Sequence, residues 1–286
     1  MQKPYLMNGY ARLKRHYWRM VGKVLAVAEP YLPSRLDAGE ESSSSTRNVI
    51  IHYHNFKSAG TSVDYILQNN FGGRWMEWDE TNDPDDIARL IAQRRSLKAI
   101  SSHSVAIRLP DMQGIRLYPI VFMRHPIDRV VSMYRFYNKY SRHPGKEAEQ
   151  ARQTDLRGFI EWQLGCGSDY RNYYALRFSQ WKTMPAYLEK PELERARETI
   201  EQLPFVGLVD HFEASLTRLQ AYLKPSFPDF QVYSVHANVT STINLPLYQR
   251  LEALRKEVGD RLYDRLIEEN REDIALYHII LARYAA

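Results

Sequence analysis

The amino-acid sequence predicts an α/β fold in which a mostly parallel central sheet is flanked by helices. From residue 49 onward, short apolar runs typical of strands alternate with amphipathic stretches typical of helices, which is the pattern of a helix-covered parallel sheet. In addition, Tyr118–Met123 is a continuous apolar run, as expected for a strand buried on both faces. Ligands of such sheets bind beyond the carboxyl ends of the strands, so we expect functional residues in the segments that follow them.

Four strands are predicted from apolar, β-branched and aromatic runs that end in turns. They are Val49–Tyr53, Leu97–Ser101, Tyr118–Met123 and Phe205–Val209.

Helices are predicted where apolar residues recur at helical spacing. The first follows a glycine-containing turn, and the second begins at Pro126, because proline is favoured at the first helical position. The C-terminal part is predicted as one or two helices broken near Gly259. The predicted helical stretches are Thr61–Asn70, Pro126–Tyr140, Glu213–Leu223 and Pro246–Arg283.

The composition excludes several classes of protein. The chain has 286 residues, 44% hydrophobic and 26% charged, which is the balance of an ordinary globular protein. A single cysteine, Cys166, excludes an intramolecular disulfide framework and a cysteine-based zinc site. The best uncharged apolar run, Leu117–Met123, is far shorter than the roughly 18 residues that span a bilayer. The net charge of +5 comes without the concentrated basic stripe of a nucleic-acid binder, so no nucleic-acid partner is expected.

Three segments are predicted along the chain. Residues 1–36 form a basic amphipathic segment, which permits peripheral contact with an anionic membrane surface. Residues 37–48 form a serine-rich linker without apolar anchors, and residues 49–286 form the compact domain.

The first motif lies directly after the first predicted strand, in the segment HNFKSAGTS at 54–62. A small, flexible turn that opens a helix lets backbone N–H groups surround an anion, and Lys57 adds a full charge. The order differs from the Walker A motif, because Lys57 precedes Gly60 and no serine or threonine follows a Gly-Lys pair. The motif therefore indicates a phosphate-binding loop without the kinase pattern. An ordinary strand–turn–helix connection is the alternative.

The second motif is FMRHPIDRVVSMYRF at 122–136. Arg124 is predicted at the tip of the buried strand, and Ser132 about two turns into the helix that begins at Pro126. An arginine and a hydroxyl so placed can hold one phosphate from two directions. A surface arginine and an ordinary helical serine are the alternative.

In combination and in this order, the two motifs resemble those of the PAPS-dependent sulfotransferases, PAPS being 3′-phosphoadenosine 5′-phosphosulfate. The match is closest to the carbohydrate-type enzymes, the O-sulfotransferases of heparan, chondroitin and other glycans. Phe205–Phe212 (FVGLVDHF) is similar to a later strand of the family, and the resemblance covers roughly 49–283. It implies a P-loop-like sulfotransferase fold, PAPS as co-substrate and no metal.

The resemblance also implies roles for individual residues. Arg124 and Ser132 would hold the 3′-phosphate of PAPS, and Lys57 would also neutralise charge on the leaving phosphate oxygen. The residues expected around the 5′-phosphosulfate are Lys57, Ser58, Ala59, Gly60, Thr61 and Ser62.

His103 is the candidate general base. It follows the short strand between the two motifs, which places it at the same edge of the sheet, and it matches the position where relatives often carry a catalytic histidine. An imidazole suits proton abstraction near neutral pH. The alternative is that His103 only forms a hydrogen bond with a neighbouring loop. Because side chains alternate along a strand, at least one of His52 and His54 is expected to face the packed side of the sheet.

Acceptor recognition is predicted in the aromatic and polar stretch at 169–177, with Asn172, Tyr173 and Arg177 as candidates. The acidic stretch at 79–86 is interpreted as a solvated loop. Many relatives carry a basic loop that covers the nucleotide, but the corresponding stretch here, at 234–241, contains no lysine or arginine.

The expected function is transfer of a sulfuryl group from PAPS to a hydroxyl of a carbohydrate or glycolipid. Two alternatives stay open: a nucleotide-dependent, kinase-like P-loop enzyme, and a non-catalytic nucleotide- or glycan-binding protein on the same fold. Golgi carbohydrate sulfotransferases usually carry a transmembrane anchor and none is predicted here. The expected location is therefore cytoplasmic, with the basic segment in peripheral contact with a membrane. The sequence gives no prediction of oligomeric state.

Overall fold

A five-stranded, all-parallel sheet forms the centre of the protein, with the strand order β2-β3-β1-β4-β5. The structure is a computed structural model and describes residues 46–139, 145–166, 171–232 and 245–284. The strands are β1 Arg47–Tyr53, β2 Trp75–Glu77, β3 Ala99–Ser102, β4 Ile115–Met123 and β5 Val206–Leu208.

Twelve helices surround the sheet in the described residues, together with 3-10 turns at Gly72–Arg74 and Val209–His211. The helices are α1 Gly60–Phe71, α2 Pro84–Gln93, α3 Pro126–Lys139, α4 Lys146–Gln153, α5 Leu156–Gly165, α6 Tyr173–Phe178, α7 Pro185–Leu188, α8 Glu192–Gln202, α9 Phe212–Leu223, α10 Leu247–Val258, α11 Asp260–Glu269 and α12 Arg271–Ala282.

Both faces of the sheet are buried, which explains the apolar runs. Ile51 and its alternate neighbours pack with α2, α6, α8 and α12, whereas Ile50 packs with α1 and α9 on the other face. A third apolar cluster joins α3, α5, α10 and α11. This three-layer arrangement confirms the predicted fold class.

The strand register brings the candidate residues to one edge. Tyr53, the last residue of β1, pairs with Ser102 of β3 and Val121 of β4, and Met123 pairs with Leu208 of β5. The segments that follow β1, β3, β4 and β5 therefore start close together at the carboxyl edge of the sheet, where ligands of such folds bind.

Several element predictions need correction. The C-terminal part forms three helices rather than one or two, because the chain breaks at Asn270 as well as at Gly259, whose φ is +84°. The stretch interpreted as a solvated loop contains the start of α2, capped by the side chain of Asp83, and edge strand β2 precedes it. The loop interpretation failed because that acidic stretch includes a helix cap and first turn.

The first 45 residues lie outside the described residues, so the basic segment and most of the linker stay predictions. Strand β1 begins at Arg47, two residues before the predicted start of the domain. Among the described residues, none of the helices combines the length and apolar character that crossing a membrane requires.

Candidate active site

The loop after β1 curls tightly before α1 begins. Lys57 and Ala59 both adopt left-handed backbone conformations, with φ of 63° and 60°. Gly60 opens α1 against the ring of His54, and a Cβ on Gly60 would lie 1.9 Å from that ring, so any side chain there would displace it. The first N–H groups of α1 have no partner within the helix, and together with the helix dipole they favour an anion in this loop.

Lys57 supplies the charge of this loop. Its ammonium lies 4.2 Å from the centre of the Phe136 ring, and the side chain is half-buried. Burial, and after it the positive charges of Arg124 and Lys139, lower the pKa of Lys57 to about 8. Three positive groups therefore converge beside the loop, and a bound anion would relieve their repulsion.

Arg124 follows the last residue of β4 and is held by a carboxylate. Its Nη1 donates to Asp128 at 3.1 Å, and the residue is only 8% exposed. Asp128 also accepts from Nε of Arg250 at 3.0 Å, and Arg250 pairs in turn with Asp210. Ser132 is half-buried one turn beyond Asp128, on the same face of α3. The second motif thus supplies the guanidinium group of Arg124 and the hydroxyl of Ser132, and α10 adds the guanidinium group of Arg250 beside Asp128.

Tyr174 joins the two motifs. Its hydroxyl lies 2.7 Å from Oγ of Ser58 in the first loop and accepts a hydrogen bond from the backbone N–H of Arg124 at 3.0 Å. The hydroxyl of Tyr173 accepts from the backbone N–H of Phe56 at 3.1 Å. Both tyrosines come from the first turn of α6, so one short helix fixes the first loop relative to the tip of β4.

Helix α6 is itself anchored by α12. The carboxylate of Asp273 accepts from the N–H groups of Tyr174 at 3.0 Å and Ala175 at 2.8 Å. In return, Oδ1 of Asn172 accepts from the N–H groups of Glu272 at 3.2 Å and Asp273 at 3.3 Å. Each side chain satisfies N–H groups at the start of the other helix, where no intrahelical partner exists.

A cluster of three histidines and one aspartate lies beside the first loop. Asp64 of α1 lies between two histidines, with Oδ1 2.8 Å from Nδ1 of His52 and Oδ2 2.8 Å from Nδ1 of His54. The His54 ring contacts the ring of His103, with centres 3.6 Å apart. His103 is half-buried just after β3, and its backbone N–H donates to Asp79 at 2.6 Å. The candidate base and the candidate anion loop therefore meet at one edge of the sheet.

Comparison with known protein families matches residues 43–279 to the sulfotransferase family. The chain belongs to the sulfotransferase family. A relative from Archaeoglobus fulgidus, named only as an uncharacterized protein, is 32% identical over 251 residues. That alignment covers 83% of this chain and 98% of the relative. The family match includes all five strands and both motifs.

The sulfotransferase places two of its three candidate acceptor residues, Tyr173 and Arg177, next to the loops at this edge. The Asn172 amide oxygen caps α12, and the Tyr173 hydroxyl contacts the first loop. Arg177 donates to the carbonyl of Val105 at 3.0 Å, in the segment that follows His103. Binding of an acceptor by these three residues stays a prediction. The stretch at 234–241 lies outside the described residues.

Three residues of the site were missed by the sequence analysis. Tyr174 was passed over because its contacts are with segments 50 and 116 residues away. Arg250 was passed over because it looks like an ordinary helical arginine, and Asp64 because the carboxylate lies within an amphipathic helix. For Asp64 a signal existed: two histidines at alternate positions of one strand need a polar partner when their face is buried.

The histidine cluster contains side chains of the kinds that bind transition metals. The candidate ligand atoms of His52, His54 and Asp64 lie within 4.8 Å of one another. Nδ1 of His52 forms a hydrogen bond with Oδ1 of Asp64, and Nδ1 of His54 lies at ion-pair distance from Oδ2, so we interpret the cluster as held by polar contacts within the protein. The expectation that this sulfotransferase holds no metal stays a prediction.

Proposed function

We propose that this sulfotransferase moves a sulfuryl group from PAPS to a hydroxyl of a carbohydrate or glycolipid and releases 3′-phosphoadenosine 5′-phosphate (PAP). The observation that carries the proposal is the meeting of Lys57, Arg124 and the start of α1 at one edge of the sheet, tied together by Tyr174. His103 lies at the same edge, where it can serve the acceptor.

The residues present fit an anionic nucleotide with two phosphate groups. Nε of Arg124 is buried and has no hydrogen-bond partner within the described ranges, so it retains a donor for an anion. Arg250 brings a second guanidinium beside the same carboxylate. This supports a 3′-phosphate site at Arg124 and Ser132, with Lys57 and the start of α1 left for the 5′-phosphosulfate.

The chemistry needs one new bond and one broken bond. PAPS supplies the sulfuryl group: the acceptor oxygen bonds to sulfur, the bond from sulfur to the phosphate oxygen breaks, and the acceptor proton leaves to a base. In the protein, a ring nitrogen of His103 takes that proton. The Lys57 ammonium meets the negative charge that develops on the departing phosphate oxygen. The backbone N–H groups of α1 orient the same phosphate.

Nucleotide affinity should depend on pH through Lys57. The folded, ligand-free protein loses the Lys57 proton as pH rises through about 8, whereas a bound anion favours the charged form. We therefore expect the affinity for PAP to fall about tenfold between pH 7 and pH 9. Calorimetry at the two pH values measures this change. Lys57→Arg is the control, because arginine stays charged over this range and should flatten the dependence. An equal fall in both proteins would contradict the role of Lys57.

Tyr174→Phe should weaken both folding and nucleotide binding. Removal of the hydroxyl leaves Ser58 and the Arg124 N–H without this partner, which should lower the free energy of unfolding by about 1–3 kcal/mol. Loss of the link between the motifs should also weaken PAP binding about tenfold. Denaturant unfolding and calorimetry measure the two effects.

The matched control for that substitution is Tyr187→Phe. The Tyr187 hydroxyl is also buried and contacts Arg195 and Thr199, away from the two motifs. It should lose similar stability but bind PAP normally. Equal losses of PAP affinity in the two variants would contradict the proposed link.

Activity is tested by incubating the protein with sulfur-labelled PAPS and a panel of glycans, glycolipids, phenols and steroids. Label should appear in a carbohydrate product, and sulfatase treatment should release it from that product as sulfate. Binding of PAP without transfer to any member of a broad panel would favour the non-catalytic alternative. Label transferred only to phenols or steroids would overturn the carbohydrate assignment.

A further inference from the structure

The proposed reaction uses only His103 of the histidine cluster and leaves His52, His54 and Asp64 without a role. Register explains how it forms: His52 pairs with Ser101, and Tyr53 with Ser102, so the next residues along the two strands, His54 and His103, are neighbours. The contact between their rings therefore follows from the register of the two strands that end directly before them.

Asp64 is a buried carboxylate that is kept ionised. It is fully buried, and burial by itself raises its pKa, but the charges of His54 and His52 and their hydrogen bonds outweigh that effect. The pKa of Asp64 therefore lies well below its usual range. Each of its oxygens faces one histidine Nδ1 at 2.8 Å, and the contact with His52 is a hydrogen bond that Nδ1 donates to the carboxylate.

The two histidines differ in where their second nitrogen lies. Nε2 of His52 is buried without a hydrogen-bond partner in the described part of the chain. The His54 ring, in contrast, lies against His103. Its position is fixed from the other side by Gly60, where there is no room for a Cβ. A rigid imidazole thus separates the buried carboxylate from the candidate base.

We propose that Asp64 and His54 act as positioning residues that hold the ring of His103 and stabilise its protonated form during sulfuryl transfer. This inference rests on the proposed function, in which His103 takes the acceptor proton. When His103 gains that proton, the negative charge of Asp64, on the far side of His54, stabilises the positive charge of the His103 ring. The face of the His54 ring also contacts the charged His103 ring.

Other groups around His103 also act on its charge. Asp79, from the loop after β2, accepts from its backbone N–H and favours the positive form. Arg177 of α6 donates to the Val105 carbonyl, and Lys57 lies in the neighbouring loop, so both oppose it. From β1 and α1, the facing groups are the two histidines and Asp64. Among these, only Asp64 is both fully buried and joined to His103 through a ring contact.

The test is a titration of the histidine ring resonances by NMR in the full-length protein, without nucleotide. The His103 signal is assigned by its loss in His103→Gln. In Asp64→Asn, which keeps the shape of the side chain but removes the charge, the His103 titration should move to lower pH by about one unit. Asp86→Asn makes the same change at a half-buried carboxylate of α2 that pairs with Arg89, and it should leave the titration unchanged.

A second variant keeps the test decisive if Asp64→Asn does not fold. His54→Phe retains a ring against Gly60 and His103 but cannot bind Asp64, so the His103 titration should again move to lower pH. An unchanged or raised midpoint in the variants that fold overturns the proposal. The proposal is also overturned if the purified wild-type protein contains stoichiometric zinc and Asp64→Asn does not, because the carboxylate would then be a metal ligand.

Kinetics separate positioning from simple loss of structure. With labelled PAPS, Asp64→Asn should lower kcat at pH 7 about tenfold and move the acid limb of its pH profile to lower pH, with KM for PAPS unchanged. A lower kcat with an unmoved acid limb would overturn the proposal. The NMR titration needs no PAPS, so failure of the wild-type protein to transfer sulfate would count against the proposed function and not against this one.

Discussion

Lys57→Ala is expected to lower kcat for sulfuryl transfer by about a thousandfold. The alanine variant has no positive group beside the departing phosphate oxygen, and Arg124 and Lys139 lie next to Lys57 without replacing it. The backbone of the first loop and the start of α1 remain, so PAP binding should weaken far less than kcat falls. Single-turnover transfer from labelled PAPS measures the rate, and calorimetry measures the affinity.

The matched control is Lys182→Ala. Lys182 also lies over an aromatic ring, 5.6 Å from the centre of Tyr187, but it lies outside the two motifs. It should transfer sulfate at the wild-type rate. If Lys57→Ala kept a rate close to that of Lys182→Ala, the assignment of Lys57 to the leaving group would be wrong.

His103→Ala is expected to lower kcat by about 10²–10⁴-fold, the usual contribution of a general base. Affinity for PAP should stay close to the wild-type value, because His103 follows β3 and the nucleotide residues follow β1 and β4. The pH–rate profile of this variant, measured from about pH 5 to about pH 9, should lack the acid limb that titration of a histidine produces.

His278→Ala, an exposed histidine of α12, is the control and should retain full activity. Retained transfer in His103→Ala, together with loss of transfer in His54→Phe, would move the base to His54. Full transfer in both variants would remove the histidine cluster from the reaction.

The fold and the two motifs were predictable because they depend on local patterns. Apolar runs mark strands buried on both faces, and parallel strands place their carboxyl ends at one edge, so Lys57, His103 and Arg124 were predictable as neighbours. The family match confirms the sulfotransferase prediction, and the sheet confirms the fold class. The roles of the individual residues stay predictions.

The links between the motifs could not be predicted, because they depend on contacts between distant segments. Asp273 lies 99 residues from Tyr174, whose N–H it accepts, and no local pattern marks either residue as a partner of the other. Asn172 was predicted as a candidate for acceptor binding, which stays a prediction, and the capping of α12 by its amide oxygen was not predicted. A single sequence contains no signal that pairs such residues.

His52 in β1 and His54 directly after it show which contacts strand alternation can predict and which it cannot. Alternation predicted that at least one of His52 and His54 faces the packed side, and both do, because residues two apart share a face. What the pattern did not provide was the partner. Asp64 can be assigned only when the rotation of α1 against the sheet is known.

The central claim, that this sulfotransferase uses a 3′-phosphorylated adenine nucleotide, is tested most directly by calorimetry with PAP, ADP and ATP. We expect PAP to bind more tightly than ADP or ATP. Arg124→Ala should reduce the affinity for PAP to near that for ADP, with the affinity for ADP little changed, because Arg124 is assigned to the 3′-phosphate. Tighter binding of ATP than of PAP by the wild-type protein would contradict the claim.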